Sequence, residues 1–191
     1  LELKQRLLGE AHPETLHVML LLAKTEETLG YFDQAASYCH RIIALAGESE
    51  ELQEYSLDAQ IILATVYSEL NELKRADELL TAVINQAKQS GEASNLLFLA
   101  LMAHSQNHLD QSDFQAAVVT AQEAIDTILK VENHKATNLL TAKNQLAIAL
   151  SSQGKYVDAE VILREVMALA RDYYGENNLG FLRVVANLGA N

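Results

Sequence analysis

The chain has 191 residues, 49% of them hydrophobic, and sets 14 Lys and Arg against 26 Asp and Glu for a formal charge of -12. That balance argues against a phosphate-binding surface, because affinity for nucleic acid rests on Lys and Arg that displace counterions. It serves solubility, with a preference for basic partners as the sharper alternative. No run approaches the roughly 18 apolar residues of a membrane span, and none reads as a signal peptide. A single cysteine, Cys39, rules out an intramolecular disulfide and suits a reducing, cytoplasmic setting.

One Pro, eight Gly and an absence of β-branched alternation give an all-α expectation. Residues 1–8 read as the tail of a helix whose partner lies outside the sequence, ended by Gly9. Pro13 then opens the next helix at a position where its missing N–H does no harm. Four helix pairs follow, over 13–47, 51–90, 93–131 and 134–174, and 179–191 begins a fifth. Within them the helices are expected at 13–29 and 32–46, 51–70 and 73–89, 93–109 and 114–131, and 134–153 and 156–173. Asp113 is placed to cap the second helix of the third pair. No linker divides the chain, which is taken as one array, 1–191, cut from a longer protein.

The pairs are copies of one unit. Ala23, Ala64, Ser105, Ala147 and Gly189, each following a Leu or its replacement, lie 41, 41, 42 and 42 residues apart. A second row of small residues, Ala35, Ala76, Ala117 and Ala159, steps in parallel. Between the rows stand Gly30, Asn71, Ser112 and Gly154, each followed two residues later by Phe32, Leu73, Phe114 or Tyr156. Gly and Asn tolerate left-handed backbone and end helices, so each unit folds back on itself at an elbow. Small residues at two fixed positions then let the helices approach closely.

This pattern resembles the tetratricopeptide repeat, with its Leu-Gly/Ala pair and Gly-x-Tyr-x-x-Ala elbow. The usual unit is about 34 residues, so this one is roughly seven or eight longer, about one extra turn per helix. Long units of this kind are similar to those of kinesin light chains and of bacterial sensory or kinase-linked arrays. The stretch LLGEAHPETL (7–16) and its echo YYGENNLGFL (173–182) resemble the Leu-Gly-x-x-His-Pro-x-Thr-Leu linker of that group. The resemblance implies a right-handed superhelical solenoid of antiparallel helix pairs, about ten helices in all.

No phosphate-cradling loop or nucleophile–base arrangement is legible, so neither an enzyme nor a cofactor is expected. His104 and His108 are four apart on one helix face, but zinc needs a third ligand and the sequence names none. Both stand where other units carry packing residues (Leu22, Leu63 and Leu146; Tyr67 and Leu150), which favours a packing role over a metal one. Cys39 falls on an inner helix face, as a buried residue would.

The expected function is a non-catalytic protein-interaction scaffold that holds a peptide or helix in a concave groove lined by the first helix of each pair. The alternative is the regulatory or sensory region of a larger bacterial signalling protein, gating a neighbouring domain. The lining is expected one turn before the small residue (Leu20, Ile61, Met102, Asn144), just after it (Lys24, Thr65, Gln106, Ile148) and one turn later (Glu27, Ser68, Leu109, Ser151). Kinesin-light-chain-like units carry Asn just before the Leu; Asn187 and Gln145 match or approximate this. Partners are proteins or peptides, with no nucleic acid and no membrane. Self-association is expected through the cut ends, along Leu1, Leu3, Leu7 and Leu8 and along Leu182, Val185 and Leu188.

Overall fold

The structure, a computed structural model, describes residues 1–47, 49–89, 94–132, 135–175, 178 and 181–182. All of its regular structure is helical: α1 (Glu2–Leu8), α2 (Pro13–Thr28), α3 (Phe32–Ala46), a 3₁₀ turn (Glu50–Leu52), α4 (Gln53–Glu69), α5 (Leu73–Gln89), α6 (Asn95–Asp110), α7 (Phe114–Ile128), α8 (Ala136–Ser152) and α9 (Tyr156–Tyr174). Phe181 and Leu182 are also helical; the rest of the expected tenth helix lies outside the described residues. Contacts divide the chain into two compact units, Leu1–Ser90 and Gly91–Asn191. The first holds α1 and the pairs α2/α3 and α4/α5, the second the pairs α6/α7 and α8/α9.

Every pair closes through the same three-residue elbow, and the backbone explains why. Gly30, Asn71, Ser112 and Gly154 have φ of 80°, 61°, 60° and 82°. The residue after each donates its N–H to a carbonyl five positions back: Tyr31 to Glu26 at 2.8 Å, Glu72 to Tyr67 at 2.8 Å, Asp113 to His108 at 2.8 Å and Lys155 to Leu150 at 2.9 Å. This is the Schellman closure, in which a left-handed residue turns the chain so that otherwise orphaned helix carbonyls find donors. Asn71 and Ser112 adopt it with a Cβ, a strained arrangement for Ser in particular. Asp113 accepts from the Ala116 N–H at 3.1 Å and so caps α7, as its place in the sequence indicates.

The boundaries differ from the periodic reading where a turn tightens. Glu50–Leu52 forms a 3₁₀ turn ahead of α4, with the Leu52 N–H on the Ser49 carbonyl at 3.1 Å. At the other end of a pair α7 stops at Ile128, not 131, because Lys130 and Val131 bond back only three residues, to Thr127 and Ile128.

The motif at 7–16 can be read residue by residue. Gly9 takes φ of 94°. His12 caps α2, its Nδ1 accepting from the Glu14 N–H at 3.2 Å, and Pro13 opens the helix. The Thr15 hydroxyl, fully buried, donates to the Gly9 carbonyl at 2.9 Å. Leu16 then enters the core of the first unit beside Met19, Ala23, Cys39 and Ile42, all fully buried, with Ala46, Leu52, Ala59 and Leu63 around them. In the second unit one cluster joins Leu140, Val166, Ala170 and Phe181. On α6 and α7, Leu101, Ala117, Ala121, Ala124 and Ile128 are buried together with polar Ser105 and Asn107.

Candidate functional site

Both rows of small residues are buried to 2% exposure or less: Ala23, Ala64, Ser105 and Ala147 on the first helices, Ala35, Ala76, Ala117 and Ala159 on the second. Ser105 shows how close the rows come. Its hydroxyl donates to the carbonyl of Ala117, the small residue of the facing helix, at 3.0 Å. With this side of each first helix committed to its partner, the flanking positions fall on another face. These are the residues expected to meet a ligand.

In the first unit that face carries Leu20, Lys24 and Glu27 on α2 and Ile61, Thr65 and Ser68 on α4. Lys24 is exposed and Ile61 buried; the other four are half-buried. Lys24 is not a free cation, since its Nζ lies 2.9 Å from Glu27 Oε2. The Glu27 side chain is only 12% exposed, and the contact is one of charge, without the alignment of a hydrogen bond. Burial pushes the neighbouring Cys39 thiol up to about 12, and Glu27 adds to the shift, so Cys39 is a packing residue and not a nucleophile. The Thr65 hydroxyl bonds back to the Ile61 carbonyl at 3.1 Å.

In the second unit the face carries Met102, Gln106 and Leu109 on α6 and Asn144, Ile148 and Ser151 on α8. Gln106 is exposed and the other five half-buried. Gln106 Oε1 accepts from Gln145 Nε2 at 3.0 Å, and its own Nε2 donates to Asp110 at 2.8 Å, so a chain of amides ties α8 to α6. Gln145, noted in the sequence only for its place before Leu146, is thus buried and structural. Asn144 differs: its Oδ1 is shielded from solvent and accepts no hydrogen bond among the described residues. Asn187 lies outside the described residues.

Sequence reasoning stopped one turn short. On α4 the same line continues back through Asp58 and Glu54, and burial, reinforced by Glu54, pushes the Asp58 carboxyl up to about 6. The equivalent residue on α6 is Leu99, 48% exposed. Extending the repeat spacing by one more turn would have found both. His104 and His108 are half-buried with ring centroids 4.1 Å apart, tilted by 36°. Of the end residues, Leu3, Leu7 and Leu182 are 68%, 72% and 52% exposed, whereas Leu1 packs on the first unit's core. Val185 and Leu188 lie outside the described residues.

Residues 139–179 match the family model described as the tetratricopeptide repeat. Among solved structures the chain is similar to BtubC (BKLC) from P. vanneervenii, at 17% identity and a TM-score of 0.73, over 85% of this chain and 66% of that one. It is also similar to a Podosopora anserina protein assigned as a kinesin light chain with nearly identical TPR-like repeats, at 20% identity and 0.66, over 90% and 82%. The apo form of RapI matches at 15% identity and 0.77, over 99% and 72%. No curated protein is significantly similar in sequence. At these identities the structural likenesses speak for the fold, and no described helix is long and apolar enough to cross a membrane. One unit is thus matched by the tetratricopeptide-repeat model, and the chain has the fold of TPR-like helical-repeat proteins.

Proposed function

We propose that the chain is a non-catalytic interaction module that takes a partner peptide or helix along the first helices of its pairs, the concave side of an array of this type. One observation carries the reading: on α6 and α8, half-exposed apolar side chains (Met102, Leu109, Ile148) share a face with the shielded, donor-less oxygen of Asn144. A carbonyl oxygen removed from water without a donor is costly, and an N–H from a bound backbone relieves that cost. The apolar side chains around it supply the desolvated contact that holds a peptide. Leu20 and Ile61 play the corresponding part in the first unit, with the Lys24–Glu27 pair and the Asp58 carboxyl giving it charge. The fold is one that generally binds protein partners and is generally non-catalytic.

The test is a titration of the captured partner against variants of the two faces. Asn144→Ala should weaken binding by roughly 1 to 3 kcal/mol, as for a lost buried hydrogen bond, and Gln106→Ala by less, since its amide is already engaged. Lys74→Glu, on an exposed position of the second helix α5, should leave binding unchanged. Loss of binding in Lys74→Glu with Asn144→Ala at parental affinity would place the partner on the opposite face.

A further inference from the structure

A cleft of about 480 Å³ lies in the first unit, away from the inner helix face, where the C-terminal ends of α3 and α5 come over the first half of α4. This is inside the roughly 300–1,000 Å³ range of ligand clefts. Its wall combines two kinds of surface. Ile43 and Leu57 are apolar, while Ser49, Glu50, Gln53, Ser56, Gln60 and Gln86 are polar, and no Lys, Arg or His lines it among the described residues. The one charged side chain on the described wall is thus a carboxylate, set against the positive end of the α4 dipole, whose first turn also lines the cleft. Glu50 supplies a full carboxylate, and the last turns of α3 and α5 supply the negative ends of their helix dipoles. Gln60 strengthens the bias, because its Nε2 donates to the Ser56 hydroxyl at 3.2 Å and its oxygen is left as the acceptor. The Gln53 and Gln86 carboxamides make no hydrogen bond among the described residues and are free to turn their oxygens inward.

We infer that this cleft binds a protonated amine or guanidinium group carried on an aliphatic stem, as in a lysine or arginine side chain of a partner. The stem lies along Ile43 and Leu57, as long cationic side chains cover apolar surface while their heads stay polar. The head meets Glu50 and the glutamine oxygens, acceptors that a cation satisfies without loss and an anion cannot. A bare metal ion would leave the apolar half of the cleft unused. The chain's formal charge of -12 steers such a ligand toward it.

The probes are N-acetyl-arginine amide, N-acetyl-lysine amide and spermidine, with N-acetyl-citrulline amide as the uncharged match of arginine. The side-chain NH2 resonances of Gln53, Gln60 and Gln86 provide the readout. The cations should shift these signals saturably, citrulline should not, and Glu50→Gln should weaken the response about tenfold. Asp33→Asn, which removes an exposed charge elsewhere on α3, should leave it unaltered. A stronger response to the amino acid amides than to spermidine assigns the site to a partner's side chain, and the reverse to a free polyamine; both support a cation site. Equal shifts with citrulline, or an unchanged response in Glu50→Gln while the variant keeps the parental helical spectrum, would overturn it.

Discussion

In the first unit the helix pairs meet over Leu16, Met19, Ala23, Cys39 and Ile42, with Thr15 and Ser56 the buried polar side chains among the described residues. In the second, Ser105, Asn107, Thr120, Thr127 and Gln145 are buried within the same repeat geometry. Apolar contacts are non-directional and tolerate repacking, so they supply stability without fixing which atom meets which. Hydrogen bonds such as Ser105 to Ala117 and Gln145 to Gln106 do the converse: each adds little net stability but holds one register of helix against helix. One repeat pattern thus admits two ways of holding helices together, and the second unit leans more on the directional one.

The contrast is most easily broken in the first unit. Met19→Ala removes a fully buried side chain from the apolar cluster and should cost about 2 to 5 kcal/mol in chemical denaturation, with the transition of residues 1–90 shifted most. A loss under about 1 kcal/mol would mean that the cluster repacks around the gap. Ser105→Ala restores the residue found at this position in the other full pairs, other than α6/α7. It should still destabilise by about 1 kcal/mol, because the bond to Ala117 is lost inside a buried interface. A more stable Ser105→Ala protein would show the hydroxyl to be a tolerated substitution and not a tie.

Ser112→Gly acts in the opposite direction. The parent carries a Cβ at φ of 60°, and relieving it should raise stability by up to about 1 kcal/mol, less the extra unfolded-state freedom of Gly. The same test at Asn71 should give less, since Asn accepts this conformation more readily. A further effect is one of pH. The folded-state value of Asp58, about 6, lies above its ordinary one, so its ionisation disfavours the folded chain. Its stabilising protonated form is fully present below about pH 4 and is lost as pH rises toward 6. Asp58→Asn should therefore melt higher than the parent at pH 7 and converge with it near pH 4. Parallel melting curves across that range would show that the carboxyl is not penalised by folding.

The fold was legible because a repeat prints its rules several times over. Four elbows, two rows of small residues and the Gly9–Leu16 motif each correspond to a backbone angle, a buried position or a hydrogen bond. The site was legible only as a set of positions. Spacing puts Lys24 and Gln106 at equivalent positions and Asn144 one turn earlier on the same face, yet it cannot tell that Lys24 is spent on Glu27, that Gln106 is held by Gln145, or that Asn144 keeps an unmatched oxygen. Those depend on rotamers and on neighbours some forty residues away. The raised Asp58 is of the same kind, since burial on α4 is a property of the packed unit and not of the local string.

The uniform elbow carries a consequence for how such a chain can change length. Each helix-to-helix turn within a pair spans three residues closed by the same two hydrogen bonds, with a left-handed residue at a fixed place. One inserted residue would rotate everything after it by about 100°, swinging the small residue of the second helix away from its partner. The two connections described ahead of α2 and α4 share no such template: Gly9–His12 is held by a threonine and a histidine cap, whereas Glu50–Leu52 forms a short 3₁₀ turn. Insertions, tags and fused domains should accordingly survive at the junctions between pairs and fail at the elbows, which makes the pair, and not the single helix, the piece by which this chain can be lengthened or shuffled.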